Sequence, residues 1–357
     1  MKTISVKELK FTSKSAMANE ITAEVNAYFN EKNISKKGNW KLFSKAIFFF
    51  LGFWTNYYFL IFSDLPVFVK AILCISLVFF ASGIGFCIMH DGNHGSFSKK
   101  EWINKIAGKS SDSLGANSHI WVTKHNIIHH SGTNVNHVDD DIEARPLLCL
   151  HDDQPRYLIH RYQYLYWPIA YGLLYFLWVL FKDFLKYFTQ KVMGEKVYFK
   201  TWDHINFWAS KVFFYFLFIH IPINKVGFNA WFLGFMIFGS LLGLVLSTIF
   251  QLAHIVRGLK HPSFGEAKGS ERFEHQISTT ANFAPQNKFI AWWVGGLNFQ
   301  IEHHLFPKIS HVHYPEIHKI IKRVCEKYNF PLLVFPSFGL ALESHIGKLK
   351  DLGKNPK

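Results

Sequence analysis

Long uncharged segments alternate with polar blocks along this chain of 357 residues. Ala46–Phe62 and Ala71–Met89 hold no charged residue and are joined by the short link Ser63–Pro66. Ile205–Asn224, interrupted by a single lysine, and Val226–Val256 form a second apolar pair. A helix needs about 20 apolar residues to cross a bilayer. The pattern therefore predicts four membrane spans, at about 44–63, 67–89, 205–224 and 229–253.

The last of these segments, Val226–Val256, is unusually long. As one helix its 31 residues would measure about 46 Å, whereas the hydrocarbon core of a bilayer is about 30 Å thick. We therefore expect its end, which carries His254, to protrude beyond the apolar layer.

A fifth apolar segment, Tyr162–Phe181, has a different composition. It is rich in tyrosine and tryptophan and contains Pro168 and Gly172. Tyrosine and tryptophan rings prefer the headgroup level of a membrane. We therefore predict that residues 162–181 form an interfacial helix that does not cross, which leaves an even number of spans.

The lysines predict the orientation in the membrane. They cluster before the first predicted span and after the second, whereas the two links at the opposite face carry only Lys225. Cytoplasmic loops carry an excess of positive charge, so we place both termini and both large polar blocks in the cytoplasm. The start of the sequence has no apolar signal segment. We divide the chain into an N-terminal cytoplasmic segment (1–43), a membrane domain (44–335) and a C-terminal tail (336–357).

The composition agrees with a membrane protein. Hydrophobic residues make up 49% and charged residues 18%, against about 25% charged in soluble domains. The net charge of +14 fits lysines beside anionic lipid and, without a zinc-finger or RNA-binding motif, does not indicate nucleic acid. The four cysteines lack paired spacing, which argues against a disulfide framework. The expected fold is an all-α membrane protein with four transmembrane helices and a cytoplasmic helical cap.

Histidine is over-represented, with 20 residues. Two pairs spaced four apart and two adjacent pairs all fall in three clusters, at or beyond the predicted cytoplasmic ends of spans. Residues four apart share one helix face, so each such pair can bind one metal ion, while an adjacent histidine points about 100° away towards a second ion. Imidazoles without thiolates suit iron, zinc, copper or nickel, and spacing does not choose between them. The clusters hold His90 and His94, then His125, His129 and His130, then Gln300, His303 and His304, while His254 lies at the end of the last apolar segment.

The other histidines lack ligand spacing, and we interpret His220 as a residue that reaches the outer headgroups. We interpret the following as solvated or as supports for metal ligands: His119, His137, His151, His160, His204, His261, His275, His311, His313, His318 and His345. Carboxylates near the clusters are candidates for orienting imidazole rings. These are Asp91, Asp139, Asp140, Asp141 and Glu302.

The motifs HDGNH, KHNIIHHSGTN and GGLNFQIEHHLFP resemble the three histidine boxes of the membrane fatty-acid desaturases, over roughly residues 40–335. The glutamine of the third motif is similar to that of the front-end subgroup, which acts between an existing double bond and the carboxyl end, and to bacterial relatives of linoleoyl-CoA desaturase. The resemblance implies two non-haem iron ions in the cytoplasmic cap that activate O2 and remove two hydrogens from an acyl chain. The ligands that the resemblance implies are His90, His94, His125, His129, His130, His303 and His304. His254 occupies the place of an extra ligand. Gln300 would bind the metal directly or through water, or would only hold a neighbouring residue.

The resemblance also implies partners. The substrate would be a fatty acyl-CoA or an acyl-lipid, in a membrane that we expect to be the bacterial inner membrane. The His-Pro-Gly-Gly motif of a fused haem domain is absent, and a polar N-terminal segment of 43 residues is too short for one. Electrons are therefore expected from a separate ferredoxin or cytochrome-type donor, which a lysine-rich face would attract if the donor is acidic.

Two alternatives stay open. A lipid hydroxylase or ketolase of the same superfamily would use the same metals and is separated by product analysis. A metal transporter would place its ligands near the bilayer midplane, whereas these clusters lie at helix ends. The sequence leaves the position of the new double bond, the chain length and the acyl carrier undecided.

Overall fold

The computed structural model describes residues 4–354 and is mostly helical. Within this part of the chain, four helices are long and apolar enough to cross a membrane. They are Trp40–Phe62, Val67–Asn93, Thr201–Val226 and Phe228–Gln251, called here the first to fourth spans. The prediction of an all-α protein with four such helices is confirmed. Each helix ends within about four residues of its predicted bounds.

The fourth span is shorter than the apolar segment 226–256. Gly227 has φ +82°, a conformation that few other residues adopt, and it separates the third span from the fourth. The helix then ends at Gln251, and His254 lies in the turn that follows. The side chain of Asn134 donates to the carbonyl oxygen of His254 at 2.8 Å, which stabilises this turn. The helix thus covers the predicted span 229–253 to within two residues, and His254 lies beyond its end.

The segment predicted to be interfacial forms two helices, Leu158–Gly172 and Leu174–Thr189, bent by 50° and called here the bent pair. By length and composition the two together also qualify as a fifth span. The bend packs on the fourth span at Gly243, where an added Cβ would lie 2.7 Å from the carbonyl oxygen of Tyr171. Glycine at this position therefore allows the close approach of two backbones.

Both ends of the bent pair are bonded to residues outside the spans. The Gln163 side chain accepts from the amide of Cys149 at 2.9 Å and donates to the carbonyl of Leu349 at 2.8 Å. At the other end, Lys186 donates to Asp140 at 2.6 Å. Asp140 and Cys149 both belong to the polar segment between the second span and the bent pair, so both ends of the bent pair are tied to this one segment.

The remaining helices form a cap at the ends of the spans that lie next to the histidine motifs. Its α-helices are Ala16–Glu31, Glu101–Gly108, Ser118–Val122, Phe264–Ala267, Arg272–Thr279, Lys288–Trp293, Gln300–Leu305, Tyr314–Lys327 and Phe338–Leu352. Short 3-10 turns occur at Val6–Glu8, Lys109–Leu114, Asp140–Ile142, Leu158–Tyr162 and His311–His313, and π turns at Ile84–Met89, Thr123–His129, Leu177–Lys182 and Phe216–His220. Lys191–Val192 pairs antiparallel with Glu195–Lys196, and Asn282–Phe283 pairs parallel with Val334–Phe335.

Two helices of the cap pack on each other. Ala16–Glu31 buries Ile21 and Val25 in the same cluster as Ile321 of Tyr314–Lys327. The predicted C-terminal tail also contains a docked helix, Phe338–Leu352, in which the Nε2 atom of His345 lies 2.9 Å from the hydroxyl of Tyr171. Packing of the chain ends therefore helps to hold the cap in place.

Candidate metal centre

The first histidine motif continues the second span. The helix widens into a π turn over Ile84–Met89 and returns to α-helix at His90–Asn93. The ring centroids of His90 and His94 lie 4.7 Å apart. A Cβ on Gly92 would lie 2.3 Å from the backbone nitrogen of Gly108, so glycine lets the helix Glu101–Gly108 pack directly against the motif.

The second motif lies on a π turn, Thr123–His129, and not on an α-helix. Its backbone bonds run from residue i to i+5, and the amide of His130 donates to the carbonyl of His125 at 3.0 Å. The Nε2 atoms of these two histidines consequently lie 3.2 Å apart. The rings of His125 and His129 nevertheless stack with centroids 5.1 Å apart, and their ligand atoms lie within 4.8 Å of each other and of Asp141. That this pair binds one ion stays a prediction, although the spacing that brings the two rings together is not α-helical.

The third motif forms the helix Gln300–Leu305. It follows Gly295 and Gly296, which have φ +60° and +69°. A Cβ on Gly295 would lie 2.5 Å from the carbonyl oxygen of Phe86. The two glycines therefore bring the third motif against the second span, where His303 and His304 face the other histidines.

Buried histidines from all three motifs meet in two groups, in which potential ligand atoms lie within 4.8 Å of one another. The first group is His90, His94, His125 and His303, and the second is His129, His254 and His304. His130 lies with His303 and His304, between the two groups. Asp141 forms a further group with His125 and His129. All eight predicted histidines thus come together, including His254, which no motif contains.

Gln300 is the ninth predicted residue. It is buried on the same helix as His303 and His304. Neither atom of its side-chain amide has a hydrogen-bond partner in residues 4–354.

Burial sets the protonation of these imidazoles. The pKa values of the following are all lowered well below the ordinary value by burial and then by the neighbouring histidines: His94, His125, His130, His254, His303 and His304. The pKa of His129 is raised, because Asp139 and Asp141 outweigh the opposing effect of burial. Neutral imidazole is the form that binds metal, so six of the rings are already in that form near neutral pH.

Many ring nitrogens of the two groups have no partner within the described chain. They are both nitrogens of His90 and His254, Nε2 of His94, His129, His303 and His304, and Nδ1 of His125 and His130. An unsatisfied buried polar atom costs about 1–3 kcal/mol. A metal that accepts these lone pairs would remove the cost, so the histidine clusters are compatible with a metal site.

Hydrogen bonds fix which nitrogen faces the centre. His129 Nδ1 donates to Asp139 at 3.0 Å, and His304 Nδ1 donates to Oε1 of Gln276 at 2.8 Å. His303 Nδ1 lies 3.2 Å from the Tyr314 hydroxyl. In each case Nε2 is left free, which is how partners of metal-binding histidines set the tautomer and ring orientation. Sequence analysis missed Gln276 and Tyr314, because neither residue type nor spacing connects them with the motifs.

Of the five candidate carboxylates, only Asp139 hydrogen-bonds to a clustered histidine. Asp91 accepts from His311 Nδ1 at 3.0 Å, and Glu302 lies 2.8 Å from His318 Nδ1. The remaining two, Asp140 and Asp141, form ion pairs with Lys124 at 3.7 and 2.5 Å. Asp141 also approaches His129 Nδ1 at 3.4 Å.

A cavity of about 390 Å³ reaches the centre at His90 and His125. Apolar residues from the second and fourth spans and the bent pair form its walls, and the Trp121 ring stacks on His125 with centroids 4.3 Å apart. Its charged rim includes Lys124, Asp140, Asp141, Lys182 and Lys186. The volume lies within the range of about 300–1,000 Å³ typical of ligand pockets.

The molecule combines four apolar helices, a histidine-rich centre compatible with metal and an adjoining, largely apolar cavity. This combination is typical of a membrane protein that binds an apolar molecule next to a metal site. The profile of the fatty acid desaturase family matches residues 65–336. The chain belongs to this family, as its motifs predict.

Characterised relatives agree over almost the whole chain. It is 34% identical over 93% of its length to the acyl-lipid (8-3)-desaturase of Physcomitrium patens, and this match covers 71% of that protein. It is 32% identical over 99% of its length to the sn-1 linoleoyl-lipid 6-desaturase of Arthrospira platensis, covering 97% of it. A protein of the same description from Synechocystis is 29% identical over 98% of the chain. These relatives are desaturases, so the alternative of a hydroxylase or ketolase is not favoured.

Proposed function

We propose that this chain introduces a cis double bond near the carboxyl end of a fatty acyl chain, using O2 and two non-haem iron ions. The observation that carries the proposal is the junction of two groups of buried histidines with a largely apolar cavity. The overall reaction removes two hydrogens from adjacent methylenes and, with two electrons and two protons, reduces O2 to two waters.

The ligand set supports two ions. Eight histidines exceed the usual four to six positions of one ion, and they divide into two groups. We assign His90, His94, His125 and His303 to the first ion, His129, His254 and His304 to the second, and His130 to the space between them. The unpartnered amide of Gln300 is available as a further ligand, directly or through water. Bound iron would supply the oxidising power that side chains lack.

The protein residues have three tasks. The cavity walls bind the acyl chain and exclude water from it. Trp121, Asp139 and Gln276 fix the positions of imidazoles through the stacking and hydrogen bonds described above. The charged rim holds the polar end of the substrate outside the apolar part.

The short distance from the histidines to the rim supports attack near the carboxyl end. Asp141 Oδ2 lies 4.0 Å from His125 Nδ1, and Lys124 lies 2.5 Å from the other oxygen of Asp141. An extended chain advances about 1.2 Å per bond, so five bonds cover about 6 Å. Only a few methylenes fit between a carbonyl at the rim and the centre, and the rest of the chain extends into the spans.

The donor and the topology are further parts of the proposal. We propose that the protein lies in the bacterial inner membrane, with both termini and the metal centre on the cytoplasmic side. A separate ferredoxin or cytochrome-type protein supplies the electrons in this proposal. The net charge of +14 favours an acidic donor. The bent pair does not cross the membrane. This is supported by the bonds that tie both of its ends to the polar segment that holds Asp140 and Cys149.

Expression in a host that lacks polyunsaturated lipids tests the function. The host is fed defined fatty acids, and mass spectrometry locates the double bonds in each lipid class. We expect a new double bond on the carboxyl side of an existing one. An alcohol or ketone product, or an unchanged lipid profile with an iron-loaded protein, would contradict the proposal.

A further inference from the structure

Three lysines and four carboxylates line the cavity, yet one lysine lacks a carboxylate partner among the described residues, because one of the carboxylates pairs with a lysine outside the cavity. Lys124 pairs with Asp141 at 2.5 Å, and Lys186 pairs with Asp140 at 2.6 Å. Lys182 lines the same cavity but has no hydrogen bond or ion pair within residues 4–354. It is the cation of this rim trio without a carboxylate partner.

The neighbouring charged residues do not supply one. Asp183, next in sequence, is buried and accepts from Lys211 at 3.0 Å. Glu143, also on the rim, pairs with Arg145. The acids closest to Lys182 are therefore already paired with other cations.

Partial burial makes the position of Lys182 unfavourable for an isolated charge. Its pKa is lowered by burial and by Lys124 and Lys186, against the opposing attraction of Asp140. Desolvated charge is costly unless it is paired. An anion bound at the rim would provide the missing partner.

The helix that carries Lys182 also has an exposed apolar surface. Phe181, Leu185 and Phe188 are 63%, 63% and 68% exposed, which is expected of a surface in contact with lipid. A lysine beside such a surface keeps its ammonium at the polar boundary. Lys182 therefore lies where the carrier group of a substrate meets the cavity.

We propose that Lys182 binds a phosphate of the group that carries the acyl chain, so that the enzyme selects phosphate-bearing acyl donors. This inference rests on the proposed function. In an ester or a thioester the acyl carbonyl is neutral, so the first anionic group of the donor is a phosphate, either of a phospholipid or of coenzyme A. A lysine ammonium is a mobile point charge that suits such a phosphate.

The test compares three donors of one acyl chain with the purified, iron-loaded enzyme in vesicles, supplied with O2 and with a reduced ferredoxin-type protein as the source of electrons. The chain is presented on phosphatidylglycerol, on coenzyme A, or on an uncharged galactolipid. Initial rates give KM and kcat for the wild type, Lys182→Gln and Lys182→Arg. Lys191→Gln is the matched control, because Lys191 is an exposed lysine just beyond the bent pair that does not line the cavity.

We expect Lys182→Gln to raise KM about tenfold for the phosphate-bearing donor that the wild type uses, with kcat nearly unchanged, as for one charge-assisted hydrogen bond. Lys182→Arg should restore most of the affinity, and Lys191→Gln should have no effect. The donor that responds identifies the source of the phosphate.

Three results would overturn the role of Lys182 while leaving the proposed function intact. The first is an unchanged KM of Lys182→Gln for both phosphate-bearing donors. The second is an equal rise in KM for the galactolipid, and the third is exclusive use of the galactolipid by the wild type. If the wild type forms no double bond on any donor, the proposed function itself fails and this inference with it.

Discussion

Gln276 connects two of the three histidine motifs, and its removal should weaken metal binding. It is fully buried on Arg272–Thr279. Its Oε1 accepts from His304 Nδ1 at 2.8 Å, and its Nε2 donates to the carbonyl of His130 at 2.9 Å. Oε1 also accepts from the Thr133 hydroxyl at 3.0 Å. Gln276→Leu keeps a similar volume but removes all three bonds.

The expected losses of metal affinity and stability follow from the contacts with His304 and His130. Loss of a partner that orients a metal-binding histidine typically lowers metal affinity about 10–100-fold, which corresponds to about 1.4–2.7 kcal/mol. In addition, the buried N–H of His304 and carbonyl of His130 lose their partner, at about 1–3 kcal/mol each in stability. Gln276→Leu should therefore bind iron more weakly and unfold more easily, whereas Gln276→Glu keeps the acceptor for His304 and should retain more of the affinity.

Competition with a chelator separates these two effects. Iron retention is measured against increasing chelator, and thermal unfolding is followed on the same samples. Gln163→Leu is the control, because Gln163 is also fully buried and bonds to backbone groups of Cys149 and Leu349, without touching a clustered histidine. The control should lose stability but keep its iron affinity. Equal iron retention by Gln276→Leu and the wild type, or an equal loss in Gln163→Leu, would refute the reasoning.

Three other expectations concern the number of metals, one ligand and the topology. Elemental analysis should find about two irons per chain; one zinc and no iron in a preparation that forms product would exclude the di-iron assignment. His254→Gln should abolish desaturation and lower bound iron. His261 is a half-buried histidine outside both groups, so His261→Gln should leave both nearly unchanged. Full iron and product in the His254 variant would exclude it as a ligand. Asp153 and Lys191 are exposed on either side of the bent pair. Cysteines at these two positions should react with an impermeant thiol reagent from the same side of sealed vesicles, and the four native cysteines are buried and should not interfere. Labelling from opposite sides would mean that the bent pair crosses the membrane.

The spans and the histidine clusters were predictable because both signals are local. Uncharged segments of about 20 residues identify the four helices without knowledge of their packing. The clusters depend on spacing within a few residues, so the convergence of His90 with His125 and His303 could be expected. His254 was found from its position near the end of a long apolar segment, and the helix ends at Gln251, two residues before the predicted bound.

The remaining features depend on contacts between distant parts of the chain. Gln276 meets His304 from another helix, and the helix Phe338–Leu352 docks on the bent pair, and neither contact leaves a pattern in the local sequence. The π turn at Thr123–His129 was also missed, because α and π turns are compatible with the same residue types. This π turn brings the Nε2 atoms of His125 and His130 to 3.2 Å from each other.

The π turn has a consequence for changes in chain length. Because its hydrogen bonds close over five residues, it holds one residue more than an α turn. Deleting one spacer residue between His125 and His130 would allow α-helical bonding, in which four residues make about the same full turn as five residues of the π turn. His129 and His130 would then keep roughly their directions, whereas an insertion or a second deletion would rotate every later side chain by about 100°. The second motif should therefore tolerate the loss of one spacer residue better than the gain of one.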